Sequence, residues 1–158
     1  MKKAILFVAS FAILIISMSA FTDKASAPVI GYKAPELILQ QDDQAITLSS
    51  LKGKYVLLNF WTSSDADSRM KCNLYDDISS DKDNLSLISV NLDSSNALYR
   101  EIVKRDGLNS ASQFHMEGSQ ASKVHGLYRL NKNLKSFLID PAGRILAVNP
   151  DAQRLAAI

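Results

Sequence analysis

Few side chains in this sequence are of a type and spacing that could do chemistry. Cys72 is the single cysteine, so the chain cannot close an intramolecular disulfide. Its thiol either packs as a small hydrophobe or serves as a lone redox thiol or as half of an intermolecular disulfide. Ahead of it, Asp65-Ala66-Asp67-Ser68 places two carboxylates and a hydroxyl close together. Paired carboxylates can run acid–base chemistry or hold a cation weakly. At this spacing they do not by themselves converge on one substrate atom, and helix capping is the simpler use. His115 and His125 share a polar stretch with no cysteine or acidic cluster beside them. Zinc needs three or four converging ligands, so no metal site is assigned. Ser63, Ser64 and Ser68 lack a Gly-x-Ser-x-Gly elbow, and nothing in the sequence positions a histidine to activate them. No cofactor is implied.

The hydrophobic pattern indicates which elements must carry these groups. Tyr55-Val56-Leu57-Leu58-Asn59-Phe60-Trp61 is almost wholly apolar and bounded by turn residues, as in a central strand buried on both faces. It runs into the polar stretch Thr62–Ser68, and then Met70, Leu74 and Ile78 recur at helical spacing, flanked by Cys72 and Tyr75. Ser64 or Asp65 is the expected N-cap, with the acidic side chains at the positive end of the helix dipole. Further strands are expected at Leu85–Leu92, Phe137–Asp140 and Arg144–Asn149, the last two joined by Pro141-Ala142-Gly143. Helices are expected at Ala97–Lys104, around Ser119–Leu127 and in the tail from Asp151. Glu36–Leu39 and Ala45–Leu48 flank a polar turn and form a hairpin pattern. The order, a hairpin, then β-α-β-α, then a second hairpin and a helix, implies an α/β fold of three layers around a mixed sheet.

The N-terminus is of another kind. Lys2 and Lys3 precede an apolar run from Ala4 to Phe21, broken only by serines. Residues 1–27 read as a signal peptide or an N-terminal membrane anchor. The run approaches the roughly 20 residues that span a bilayer. Ala25-Ser26-Ala27 offers a small-x-small cleavage site, with Pro28 just beyond it as an unfavourable neighbour. Both readings imply export. The leader also carries the charge: Lys2, Lys3 and Lys24 against Asp23 account for the whole formal +2 of the 158-residue chain. Residues 28–158 are therefore neutral, with no concentrated basic surface of the kind nucleic-acid binding requires. Any membrane association would come through the leader alone.

Gly31-Tyr32-Lys33-Ala34-Pro35 and the stretch Leu48–Trp61 resemble the envelope thioredoxin-like proteins of the TlpA/ResA type. So do Asn91-Leu92-Asp93, Asp106-Gly107-Leu108 and Phe137–Ile145. The resemblance covers residues 29–158 and implies a thioredoxin-like fold with an N-terminal β-hairpin extension and a family activity of thiol–disulfide exchange. In that family the tryptophan-ended strand runs into a Cys-x-x-Cys pair. Here those positions hold Asp65 and Ser68. A carboxylate and a hydroxyl cannot perform an exchange that needs an attacking thiolate and a resolving thiol. The family's cis-proline position is Leu134, where a cis bond would cost ~3 kcal/mol. A peroxidatic cysteine would be expected near position 65, not at Cys72, whose position in the family is usually Met or Leu and so implies packing.

The resemblance also points to a surface. The family receives substrate polypeptides beside Trp61, Ser64, Asp65 and Ala66 and the segment Leu134-Lys135-Ser136. Trp61 can equally be ordinary core. The expectation is an exported, redox-inactive binding or accessory module with an envelope protein or peptide as partner. The alternative is a redox protein that uses Cys72 as a lone thiol or mixed-disulfide partner.

Overall fold

The structure is a computed structural model, and it describes residues 27–41 and 44–158. The expected leader lies outside the described residues except for Ala27. Among the described residues no helix is long and apolar enough to cross a membrane.

Strands β1 (Ile38–Gln41) and β2 (Gln44–Thr47) pair antiparallel as a separate two-stranded sheet. A 3-10 turn, Leu48–Leu51, leads to β3 (Tyr55–Trp61) and helix α1 (Ala66–Ser80). Then come β4 (Leu85–Asn91), α2 (Asn96–Arg105), β5 (Gln113–His115) and α3 (Gly118–Leu127). The chain closes with β6 (Ser136–Ile139), β7 (Ile145–Val148) and α4 (Ala152–Ala156). The main sheet has the order β5-β4-β3-β6-β7. Strands β3, β4 and β5 run parallel, and β6 and β7 are antiparallel additions. This is the mixed three-layer thioredoxin-like arrangement with an N-terminal hairpin that the sequence implied.

Alternation along β3 explains the layers, since successive side chains of a strand point to opposite faces. Val56, Leu58 and Phe60 join a core with the hairpin residues Leu37 and Leu39 and with Ala121 and Val124 of α3. Leu57 faces the other way, onto Tyr75 of α1 and Leu155 of α4. Trp61 shares that second face with Cys72 of α1 and Ile102 of α2. The N-terminal segment covers part of the β7 edge: Gly31 N–H donates to the Ile145 carbonyl at 2.8 Å, and Ile145 N–H to the Tyr32 carbonyl at 2.9 Å. A covered edge no longer offers unpaired backbone to a neighbouring chain. Tyr128, wholly buried, ties the hairpin side down by donating its hydroxyl to the Pro35 carbonyl at 2.5 Å.

The helical spacing of Met70 and Leu74 does not mark the buried face of α1. Met70 and Leu74 are 64% and 41% exposed, and the buried face of α1 is Ser68, Cys72 and Tyr75. The helix lies on a floor that includes buried Asn59, Ser89 and Gln113. Cys72 meets that floor at Ser89 and Gln113, and the Tyr75 hydroxyl bonds Ser136 and the Pro150 carbonyl, contacts that long aliphatic side chains could not make. Strand β5 is also new. It has three residues, too few to show an alternation in sequence.

The far side of α1 is locked by a bidentate ion pair. Arg69 Nε and Nη2 donate to the two Asp106 carboxylate oxygens at 2.7 and 2.6 Å. These hydrogen bonds hold the Asp106 carboxyl below the usual carboxylate range. A carboxyl whose pKa is lowered by folding contributes stability above its ordinary pKa and loses it as pH falls through the folded value. Asp106→Asn is therefore expected to cost about 1.5 kcal/mol at neutral pH. In urea unfolding the difference from wild type should shrink on acidification below the ordinary carboxylate range; a pH-independent difference would refute the assignment.

Candidate functional site

The turn between β3 and α1 is fixed by the loop that follows β4. Ser63 N–H donates to both Asp93 carboxylate oxygens at 3.1 Å, and the Ser63 hydroxyl also donates to that carboxylate. Asn91 Nδ2 adds a bond to Asp93 at 2.9 Å. His115 holds the same loop from its other side, Nε2 lying 2.9 Å from the Asp93 carbonyl. A carbonyl can only accept, so Nε2 carries the proton and Nδ1 accepts from the Asn96 amide at 3.2 Å.

Within this frame Asp65 is the N-cap of α1, and the Ser68 side chain ties the cap to the chain leaving β3. Asp65 Oδ1 accepts from Ser68 N–H at 2.6 Å, and the Asp65 carbonyl accepts from Arg69 N–H at 3.1 Å. The Ser68 hydroxyl donates to the Asp65 carbonyl at 3.1 Å and accepts from Thr62 N–H at 3.3 Å. Ser68 is only 5% exposed. The first helical turn has N–H groups without intrahelical partners, and a carboxylate there meets both that need and the helix dipole. Of the two expected cap candidates, Asp65 is the cap.

Cys72 lies beneath α1, not at its tip. It is fully buried, with Sγ 3.2 Å from Ser89 Oγ and donating to Gln113 Oε1 at 3.6 Å. Asn59 Nδ2 reaches the same Ser89 hydroxyl at 3.2 Å, and Gln113 Nε2 donates to Asp76 at 3.4 Å. Burial pushes the Cys72 thiol up to about 11. The group is a neutral, hydrogen-bonded thiol at physiological pH, whereas nucleophilic cysteines are partly exposed thiolates.

A cleft of about 280 Å³ opens beside the cap. It brings Asp65 and Ser68 of the turn together with Leu134 and Lys135 from the segment before β6. The Lys135 carbonyl accepts from Phe60 N–H at 3.1 Å, extending the β3–β6 ladder to the cleft wall. The Lys135 ammonium is held by the Arg129 carbonyl at 3.0 Å. Asp67 and Lys71 line the same cleft. Every described peptide bond is trans, including the one before Leu134.

The other expected surface residues are placed differently. Trp61 is a correction: it has no exposed surface and packs against Cys72, Ile102 and Leu108, so it cannot touch a docked peptide. The final residue of a strand buried on both faces is core, whichever surface lies next to it in sequence. Its indole Nε1–H is buried without a partner. Ser64 and Ala66 are exposed at the turn but do not line the cleft, and Ala66 borders a separate depression with Arg69 and Met70. Ser136 is buried, bonded to Tyr75 Oη at 2.9 Å. His115 serves the Asp93 loop while His125 sits on α3. Among the described residues no three His, Cys, Asp or Glu side chains gather as a metal ion would require.

Lys71 and Asn149 also line the cleft and were not singled out from the sequence. Lys71 follows Asp67 by one helical turn, a spacing readable in advance. Asn149 has a φ of 50°, and its side chain accepts from Ser136 N–H at 3.0 Å; no sequence signal announces that.

A mixed sheet with this order, a helix starting at the tip of its central strand and a cleft facing the segment before β6 define a thioredoxin-like protein. The chain belongs to the AhpC/TSA family, whose pattern matches residues 30–148. Among solved structures it is similar to a thioredoxin-like protein from Parabacteroides distasonis, with 29% identity and a TM-score of 0.71 over 83% of this chain and 94% of that one. The thioredoxin domain of a thiol-disulfide oxidoreductase from Bacteroides vulgatus shares the fold at 21% identity and a TM-score of 0.69, covering 82% and 94%. A thiol-disulfide oxidoreductase from Bacteroides fragilis does so at 20% and 0.65, covering 80% and 96%. No curated protein sequence matches the chain.

The state of Cys72 can be read directly. The raised thiol pKa reduces the thiolate fraction at pH 7 by about a hundredfold relative to an ordinary cysteine. A thiol reagent is expected to label native protein at least ~100-fold more slowly than protein unfolded in denaturant. Comparable rates in the two states would contradict the buried placement.

Proposed function

We propose that this chain is an exported thioredoxin-fold protein that has no thiol–disulfide exchange activity and works in the cell envelope as a binding or accessory module. The observation that carries the reading is the use of Asp65 and Ser68. They stand at the positions where the resembled family carries its cysteine pair, and here Asp65 caps α1 while the Ser68 hydroxyl bridges the Asp65 carbonyl and Thr62 N–H. Dithiol exchange needs one thiolate to attack and a second thiol to resolve the mixed disulfide, and neither position has sulfur. The burial of Cys72 and its raised pKa support the same reading, because a lone redox thiol would have to meet its partner at the surface. Export and an envelope location rest on the basic and apolar leader.

The surface left for a partner is the cleft between the cap and Leu134-Lys135. Its charged lining is mixed, Asp65 and Asp67 against Lys71 and Lys135. A polypeptide would be held there by shape, by backbone hydrogen bonds along the end of the β3–β6 ladder, and by paired charges, with no covalent step and no cofactor.

Two measurements test this. In a disulfide-reduction assay, wild type and Cys72→Ser are expected to give no turnover above buffer; turnover by Cys72→Ser would overturn the reading. In affinity capture from envelope extract, wild type is expected to retain a partner that Leu134→Glu loses. Retention of the same proteins by both would remove the cleft as the binding surface.

A further inference from the structure

A second concavity, of about 680 Å³, shares no lining residue with the cleft at Asp65. It runs along α2, with β5 as its inner wall and Gln40 of the hairpin across from them. Arg100 and Lys104 line it, and among the described residues no aspartate or glutamate does. Of the described acidic groups nearby, Asp76 accepts from Asn109, Ser112 and Gln113, the last a residue of the lining. Asp93 directs its carboxylate to Ser63 and Asn91, Asp106 is paired with Arg69, and Glu101 of α2 is not part of the lining. Among the described residues the charged lining of the groove is thus positive, in a domain with no net charge.

Its geometry suits an extended chain. Arg100 and Lys104 are one helical turn apart, about 6 Å along α2. Alternate side chains on one face of an extended peptide recur at about 6.7 Å. The inner wall carries a rigid aromatic platform: the Tyr99 ring stacks on His115 with centroids 5.0 Å apart and planes 14° from parallel. Both His115 ring nitrogens are engaged, by the Asp93 carbonyl and the Asn96 amide, so the platform is held before anything binds. Preorganised ring surface beside exposed cations reduces the ordering cost of association.

We propose that this groove binds an extended acidic peptide segment, whose alternate carboxylates meet Arg100 and Lys104 while its backbone lies across the Tyr99–His115 stack. The site is independent of the cleft between the cap and Leu134, and either can fail without the other. A short fluorescein-labelled peptide alternating glutamate and valine, titrated at about 50 mM salt, is the probe. Saturable binding is expected, with backbone amide shifts concentrated in α2 and at Gln113–His115. The Arg100→Gln/Lys104→Gln variant should bind at least ~10-fold more weakly. Lys54→Gln/Lys123→Gln, which removes the same charge elsewhere, should bind as wild type does, and circular dichroism would confirm that both variants are folded. Absence of binding, equal weakening by the two variants, equal affinity for a glutamine–valine peptide, or shifts outside the groove would each overturn the proposal. So would tighter binding of a single-stranded oligonucleotide of similar charge.

Discussion

The first turn of α1 must find partners for backbone N–H groups that the helix itself cannot satisfy. Asp65 supplies one, its carboxylate accepting from Ser68 N–H, and the rest of the site depends on that solution. The cap fixes where α1 starts, and the start fixes which side of the helix meets the sheet. It is worth about 1 kcal/mol as a typical N-cap. Its structural consequence is larger than its energy, because the Ser68 hydroxyl also holds Thr62 and so binds the strand end to the helix. The Asp93 carboxylate grips the same turn at Ser63. A turn held from both ends presents a fixed surface, which is what a non-covalent binding site needs and what thiol chemistry alone would not require.

Beneath the cap, α1 rests on a polar layer. Asn59, Ser89, Cys72, Gln113 and Asp76 form a connected series of hydrogen bonds between sheet and helix, continued at the surface by Ser112 and Asn109. Buried polar groups are tolerated when each finds a partner, and leaving one without costs roughly 1–3 kcal/mol. The thiol belongs to this layer. Cys72 is better understood as a donor and small packing group than as a reactive centre. Trp61 Nε1 is the one described buried side-chain polar atom without a partner, and the indole ring is retained there by its packing with Ile102 and Leu108.

Much of this was legible in the sequence, for identifiable reasons. Strand β3 stood out because a run buried on both faces has no polar alternation to confuse it, and its continuation into Asp65 located both the cap and the cleft. The closing β6–β7 hairpin was announced by Pro141-Ala142-Gly143. The buried face of α1 does not follow from the apolar spacing of Met70 and Leu74, because such periodicity marks a buried face only over an apolar floor, and this floor is partly polar. The resemblance offered Trp61 as a surface contact, with ordinary core packing as the other reading, and the structure buries it completely. Strand β5 is too short to show an alternation, and the groove beside it takes Gln40 from the hairpin, far from α2 and β5 in the chain. Of the cleft, Asp65, Ser68, Leu134 and Lys135 were foreseen; Asn149 depends on a left-handed backbone conformation that its sequence context does not reveal.

We read positions 65 and 68 as the redox positions of the thioredoxin fold, occupied here by a capping carboxylate and a buried hydroxyl in place of sulfur. The measurement that tests it most directly is thiol titration of the Asp65→Cys/Ser68→Cys variant before and after mild oxidation. The account predicts that oxidation removes the introduced pair of thiols together, by an intramolecular disulfide, while wild type retains its single thiol unchanged. Introduced thiols that remain free, or that cross-link only between molecules, would contradict it.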